Sequence, residues 1–428
     1  MYDNIKWVGN EIFSECENLE YIHIPVGSKS RFESLLGRYV PIIDDINRVS
    51  EEDLANAWID GNGVKYSFDK KKLLKAPKEI NECQIIKGTI EICEHAFSEC
   101  KSLQFVDLPD SVKEIGANAF EKCYSLREIT IPNGVTKINY SAFKLCTSLH
   151  SIVIPNSVMF LGDYAFARCG ELSEIIISNK IKDIRVGTFS GCSNLKSIII
   201  PESVIDIEEF SFNECKQLES VYISDGITNI GDYSFYGCSS ITNIRFPKGL
   251  KKIGHHAFEK CRSIVSCELP DGLSEIGNNS FQHCDSLFSM AIPQSVQNIG
   301  ELAFNSCTSL ASIDLPDSLT SINRYTFGGS GLKSVTIPNG VKTIGEYSFV
   351  GCESLTSISI PDDVEEIEEY AFHGCIGLKS IWLRNSNIQI KYNVFDNCPN
   401  IERITIPLGT KGKYEGLLPD YKDILVEQ

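Results

Sequence analysis

No run of 18 apolar residues occurs in the 428-residue chain, so no segment reads as a membrane-spanning helix. The opening residues, Met1-Tyr-Asp-Asn-Ile-Lys-Trp7, lack the charged-then-apolar order of a secretory leader. The chain as given therefore reads as cytoplasmic, or as cell-surface if it is a fragment. Positive charge is in deficit: 40 Lys and Arg against 57 Asp and Glu give a formal net charge of −17. That balance argues against holding nucleic acid or anionic lipid through a general field and favours a protein or a basic partner.

Chemistry-bearing motifs are missing too. No His-Glu-x-x-His, Cys-x-x-Cys, Gly-x-Ser-x-Gly or Gly-x-Gly-x-x-Gly is present. Gly226 to Gly231 and Gly340 to Gly345 have phosphate-loop spacing, but Asp232-Tyr233 and Glu346-Tyr347 stand where the Lys and the metal-binding hydroxyl belong. His255-His256 has no third metal ligand nearby in sequence, and Glu208-Glu209 and Glu368-Glu369 read as solubilising acids. No metal, no cofactor and no enzyme activity are expected.

What the chain has is a 23-residue unit, as in Phe120-Glu-Lys-Cys123-Tyr-Ser-Leu126-Arg-Glu-Ile129-Thr-Ile131-Pro132-Asn-Gly-Val135-Thr-Lys-Ile138-Asn-Tyr-Ser-Ala142. Its Phe recurs from 97 to 327 in steps of 23, then at 349, 372 and 395, making fourteen units with a single 22-residue step. A fixed period of this length denotes a solenoid. Leu-x-x-Ile-x-Ile-Pro reads as a short strand ended by a residue with no N–H to donate. Val135, Ile138 and Ala142-Phe143 bring the chain back along the other side. The expected fold is mainly β with short helical or 3-10 turns, capped at both ends. Fourteen of the 17 cysteines follow a Phe by three residues. They read as reduced, inward-facing small hydrophobes, suited to a reducing compartment; disulfides between adjacent coils are within reach but not required.

The boundaries follow from where the unit stops. Residues 1–48 contain the tail of a unit, Phe13-x-x-Cys16-x-x-Leu19-x-x-Ile22-x-Ile24-Pro25, and then a segment, Pro25 to Leu36, that matches Pro407 to Leu418. An ending used twice reads as a C-terminal cap. Residues 49–60 read as a connector helix opened by Ser50-Glu-Glu-Asp53, 61–82 as a β-hairpin N-terminal cap, 83–406 as the repeat array and 407–428 as its C-terminal cap.

The pattern Cys-x-x-Leu-x-x-Ile-x-Ile-Pro-x-x-Val-x-x-Ile-Gly-x-x-Ala-Phe resembles the Treponema-type, BspA-like class of bacterial leucine-rich repeats, over residues 1–25 and 83–407. The resemblance implies a curved, right-handed leucine-rich-repeat solenoid. Members of the class are often cell-surface adhesins that bind host or bacterial proteins.

Function then has to lie in the letters that vary. The residue between the two inward Ile side chains faces out of the strand, because side chains alternate. Coil by coil it includes Val153, Ile176, Ile199 and Tyr222, then Arg245 and Glu268, and later Trp382. Four consecutive apolar side chains on an exposed sheet suggest a partner-binding stripe, although the same residue types are those a solvated sheet favours. A column of serines two positions earlier carries no aromatic platform, which argues against carbohydrate. The expected function is a non-catalytic scaffold that binds a protein through the concave face. The alternatives are an adhesin fragment without its export signal and a redox-responsive thiol protein.

Overall fold

The computed structural model describes residues 49–428 and, ahead of them, the strand pair Ile22–His23 and Ile43–Asp44. The rest of the segment before residue 49, including Phe13, Cys16 and Leu19, lies outside the described residues. From residue 83 onward the chain winds as a solenoid whose coils, except that of residues 331–337 and the last, carry two strand segments each. One lies on the Leu-x-x-Ile-x-Ile side, such as Ser151–Val153; the other, such as Phe160–Leu161, lies on the return side. Neighbouring coils pair in parallel at an offset of one repeat, so Ser151 faces Glu174 and Lys137 faces Phe160. Between the two strands Pro ends the first, and its carbonyl accepts a turn hydrogen bond, as from Val158 N to Pro155 O at 2.9 Å.

The 23-residue spacing places each residue type on top of its own kind. All fourteen phenylalanines form one column, from Phe97 to Phe395, with successive ring centroids 5.0–5.9 Å apart and nearly parallel. Offset stacking of this kind adds to the burial of the rings. Beside it, Ile, Leu and Val fill the interior and are almost wholly buried.

The bend around each Phe is made with two left-handed residues four apart, such as Asn118 and Lys122, then Ser141 and Leu145, and later Phe210 and Glu214. Bulky side chains take this conformation at Leu145 (φ 64°), Phe210 (φ 57°) and Leu302 (φ 55°), at a cost of roughly 1–2 kcal/mol each. The offset comes from the next coil. With the backbone turned this way, Lys122 N donates to Lys144 O and Leu145 N to Ala167 O, each at 2.8 Å, while Phe120 N donates to Ala142 O at 2.7 Å. The bend is thereby laced to its neighbour as firmly as the strands are.

The helix expected over 49–60 is confined to Glu51–Ala55, capped by Ser50 and Asp53 in a reciprocal capping box. Trp58–Ile59 is instead a strand, because Trp58 packs on Tyr66 with ring centroids 5.9 Å apart and under the Lys70 ammonium. Trp58–Ile59, Lys65–Tyr66 and Lys72–Lys75 make an antiparallel meander, and Lys72–Lys75 then pairs in parallel with Glu91–Ile92. At the other end Arg403–Ile406 pairs with Leu425–Glu427 after the helix Lys411–Leu417 and the 3-10 turn Pro419–Ile424. Buried Tyr414 donates its hydroxyl to Asn385 O and half-buried Tyr421 donates to Phe395 O, both at 2.7 Å.

The unit shortened to 22 residues keeps its return strand, with Ser321 facing Thr343, but residues 331–337 form no strand. There Ser330 occupies the cysteine position, buried, with its hydroxyl 3.4 Å from Cys352 Sγ.

Phe143 lies between the rings of Phe120 and Phe166 at 5.1 Å on both sides. Phe143→Ala should cost about 3–5 kcal/mol by leaving a cavity that rigid neighbours cannot fill. Urea unfolding followed by far-UV circular dichroism measures this, and a loss below about 1 kcal/mol would show that the column contributes little.

Candidate interaction surface

The strand segments fix which side chains reach solvent. In Ser151–Val153 and Ser197–Ile199 the central Ile points into the core and its neighbours point out. Val153, Ile176, Ile199 and Tyr222 are 56, 63, 71 and 48% exposed, which places all four on one face. Val153 is in register with Ile176, and Ile199 with Tyr222. Arg245 and Glu268 continue the same column as register partners. The Arg245 guanidinium, however, reaches back to Asp225 at 3.2 Å. Trp382 is exposed in that column as well, between Ser359 and Thr405. It stands seven coils beyond Tyr222, about 34 Å at the ~4.8 Å strand spacing, and is not part of the stripe.

Phe105, 45% exposed, opens the strand Phe105–Asp107 in the place that serine holds in Ser151–Val153, so that column carries one aromatic side chain after all. Phe288, 57% exposed, and Val265 are further exposed apolar residues that the sequence reading missed, in neighbouring coils joined by a hydrogen bond from Phe288 N to Val265 O at 3.0 Å. They precede the strands Ser289–Ala291 and Ser266–Glu268 by one residue, outside the alternating positions that a strand pattern singles out. A per-column comparison one place further upstream carries the signal.

The chemistry-bearing side chains are committed to holding coils together. Among the described residues no group of three or more His, Cys, Asp and Glu is arranged to hold a metal. His255 Nδ1 accepts from Asn278 N at 2.9 Å, and His256 stacks on Tyr233 with its Nδ1 2.6 Å from Glu259 Oε2. Gly231 packs so closely that a Cβ would lie 2.7 Å from the Glu208 backbone, leaving no cradle for a phosphate. Ser178 and Ser224, in the place of Pro, donate to Val158 O and Pro201 O of the preceding coil.

The cysteines do more than fill space. Twelve of them, from Cys123 to Cys398, place Sγ 3.1–3.3 Å from the carbonyl oxygen of a Phe in the coil before and donate to it. Burial pushes the thiols up, Cys307 and Cys352 to about 12 and Cys146, Cys169 and Cys192 well above their ordinary value. Thiols that are neutral and enclosed are poor nucleophiles. Ellman's reagent on the native protein should therefore leave this column unlabelled over minutes, and urea should expose it; fast labelling of many cysteines in the native state would contradict the bonding described.

Acids gather where Arg185 and Glu208 replace the glycine of the unit. Arg185 Nε lies 2.5 Å from Oδ1 of buried Asp163, and Glu208 Oε2 accepts from Val186 N at 3.1 Å. Burial first, and then Asp163, raise the Glu208 carboxyl to about 7 against the pull of Arg185. The folded state thus keeps this proton where the unfolded chain has released it, so the contribution of Glu208 to stability falls as pH rises from about 4.5 to about 7. Glu208→Gln retains an acceptor for Val186 and should melt higher than the parent at pH 8 but alike below pH ~4.5. Thermal melts across that range are the check, and parallel curves would refute the assignment.

The BspA type leucine rich repeat region model matches residues 1–37, 70–195, 160–287, 228–356 and 298–414. A leucine-rich repeat protein from Bacteroides ovatus is similar at 28% identity, over 87% of this chain and 90% of that one, with a TM-score of 0.66. A leucine rich cell surface protein from Faecalibacterium prausnitzii is 24% identical over 84% of this chain and 97% of its own, with a TM-score of 0.48. No curated protein sequence matches the chain. With the repeat, its coils and the family model in agreement over most of its length, the chain belongs to the BspA-type leucine-rich repeat family.

Proposed function

We propose that this protein is a non-catalytic scaffold that binds a protein partner through the strand face of its solenoid, centred on Val153, Ile176, Ile199 and Tyr222. The observation that carries the reading is the contiguity of four exposed apolar side chains in successive coils. Buried, hydrogen-bonded positions account for the repeated residues, whereas nothing in the packing requires Ile at 176 or 199. Arg245 and Glu268 form the polar border of the same surface, and Trp382 is a separate, outlying contact. Leucine-rich repeats of this family are non-enzymatic interaction scaffolds, which agrees with the commitment of His255, His256 and the cysteines to coil contacts.

The same proposal extends to the division of the chain, with residues 61–82 and 407–428 closing the array and residues 1–48 holding a second copy of the C-terminal cap. Ile22 faces Ile43 in parallel as Ile404 faces Leu425, the same 21-residue offset.

Ile176→Glu with Ile199→Glu should leave the melting temperature within a few degrees of the parent, since both side chains are exposed, and should abolish capture of partners in a crosslinking pull-down. Retention of every partner by that variant would remove the stripe from the interface.

A further inference from the structure

The spacing of the stripe bears on what can lie across it. Its four residues occupy successive coils, so from Val153 to Tyr222 there are three steps of ~4.8 Å, about 14 Å in all. An α-helix running along the solenoid axis returns the same face every ~5.4 Å, and three turns cover about 16 Å. The 2 Å difference is within the reach of side-chain adjustment. An extended strand repeats its face every ~6.7 Å and would cover about 20 Å in three steps, slipping by more than one coil. Nor can a strand add to this sheet from above, because the face presents side chains and the backbone hydrogen bonds of paired coils run along it.

The flanks suit a cylinder. Ser151, Ser197 and Ser220 are small and exposed on one side of the stripe. The charge beside it is unbalanced: from five residues before to four residues after each member of the stripe, exposed Glu171, Glu174, Glu202, Glu219 and Asp225 stand against Lys180 and Lys196, with Lys182 and Lys216 further along the chain. Complementarity therefore calls for cations on the edges of the partner.

We infer that the segment received by the strand face is an amphipathic α-helix with basic flanks, lying along the solenoid axis at one turn per coil over Val153, Ile176, Ile199 and Tyr222. This rests on the protein-binding reading above and names the class of partner for that surface. Apolar side chains on one side of the helix settle between the exposed residues of neighbouring coils, and its Lys or Arg side chains reach the glutamates on either side.

The test uses the full chain and a fluorescein-labelled 18-residue peptide with Leu along one helical face and Lys on both edges. A second peptide carries two central prolines in place of two solvent-facing residues, which breaks the helix while keeping its charge, and a third carries Glu for Lys. Fluorescence anisotropy should show the first peptide binding and the other two weaker by at least about tenfold. Ile176→Glu with Ile199→Glu should weaken the first peptide by a similar factor. That variant adds two negative charges, so mere attraction of a cation to an acidic protein would strengthen instead. Equal binding of the proline peptide, or undiminished binding to the variant, overturns the helix. Partners lost by the variant in the crosslinking pull-down while no helical peptide binds would refute the helix alone, whereas partners retained would refute the surface itself.

Discussion

Everything in this molecule depends on the equality of one coil with the next. A 23-residue step sets Phe on Phe, thiol under Phe carbonyl, and Ile beside Ile, so each interaction is repeated along an axis instead of being closed around a centre. A single coil has both its faces open and no core of its own, and stability arises at the contacts between coils. Those contacts include three parallel lines of backbone hydrogen bonds, on the strand side, on the return side and around the Phe bend. The left-handed residues at the bend are the strained members of this arrangement, and the N–H groups that they aim at the following coil are what justify the strain.

The fold was legible because its signal is multiplied. One Phe or one Leu-x-x-Ile-x-Ile would be compatible with many structures, but fourteen in phase leave little else. What stayed hidden was everything that depends on a contact between coils. The thiol of Cys146 reads as a small hydrophobe in sequence, and only the placement of Phe120 O shows it as a donor. Ser178 and Ser224 stand where the unit has Pro, and nothing local shows that each hydroxyl finds a carbonyl one coil back. Left-handed backbone at Phe210 or Leu302 contradicts the intrinsic preference of those residues, so no local rule could have located it.

The surface divides in the same manner. Val153, Ile176, Ile199 and Tyr222 could be picked out because strand alternation alone assigns them outward. Phe288 and Val265 could not, since they stand just before their strands, where alternation no longer applies. Likewise the column places Arg245 at the border of the stripe beside Glu268, but not the partner of its guanidinium, whose reach lets it choose Asp225 in the preceding coil. Short side chains in a repeat are placed by register; long ones are placed by their options.

The 22-residue unit shows how the array takes up an irregularity. Along residues 331–337 there is no strand, and the thiol is exchanged for Ser330, while the return side continues through Ser321 and Thr343. The coil is still held on both sides: Lys333 N donates to Ala311 O at 3.1 Å, Lys333 O accepts from Thr356 N, and Phe327 stacks between Phe304 and Phe349. A lost residue is thus absorbed inside one coil while the columns before and after it keep their phase, so an array of this kind can change length by a residue without being re-registered from that point to its end.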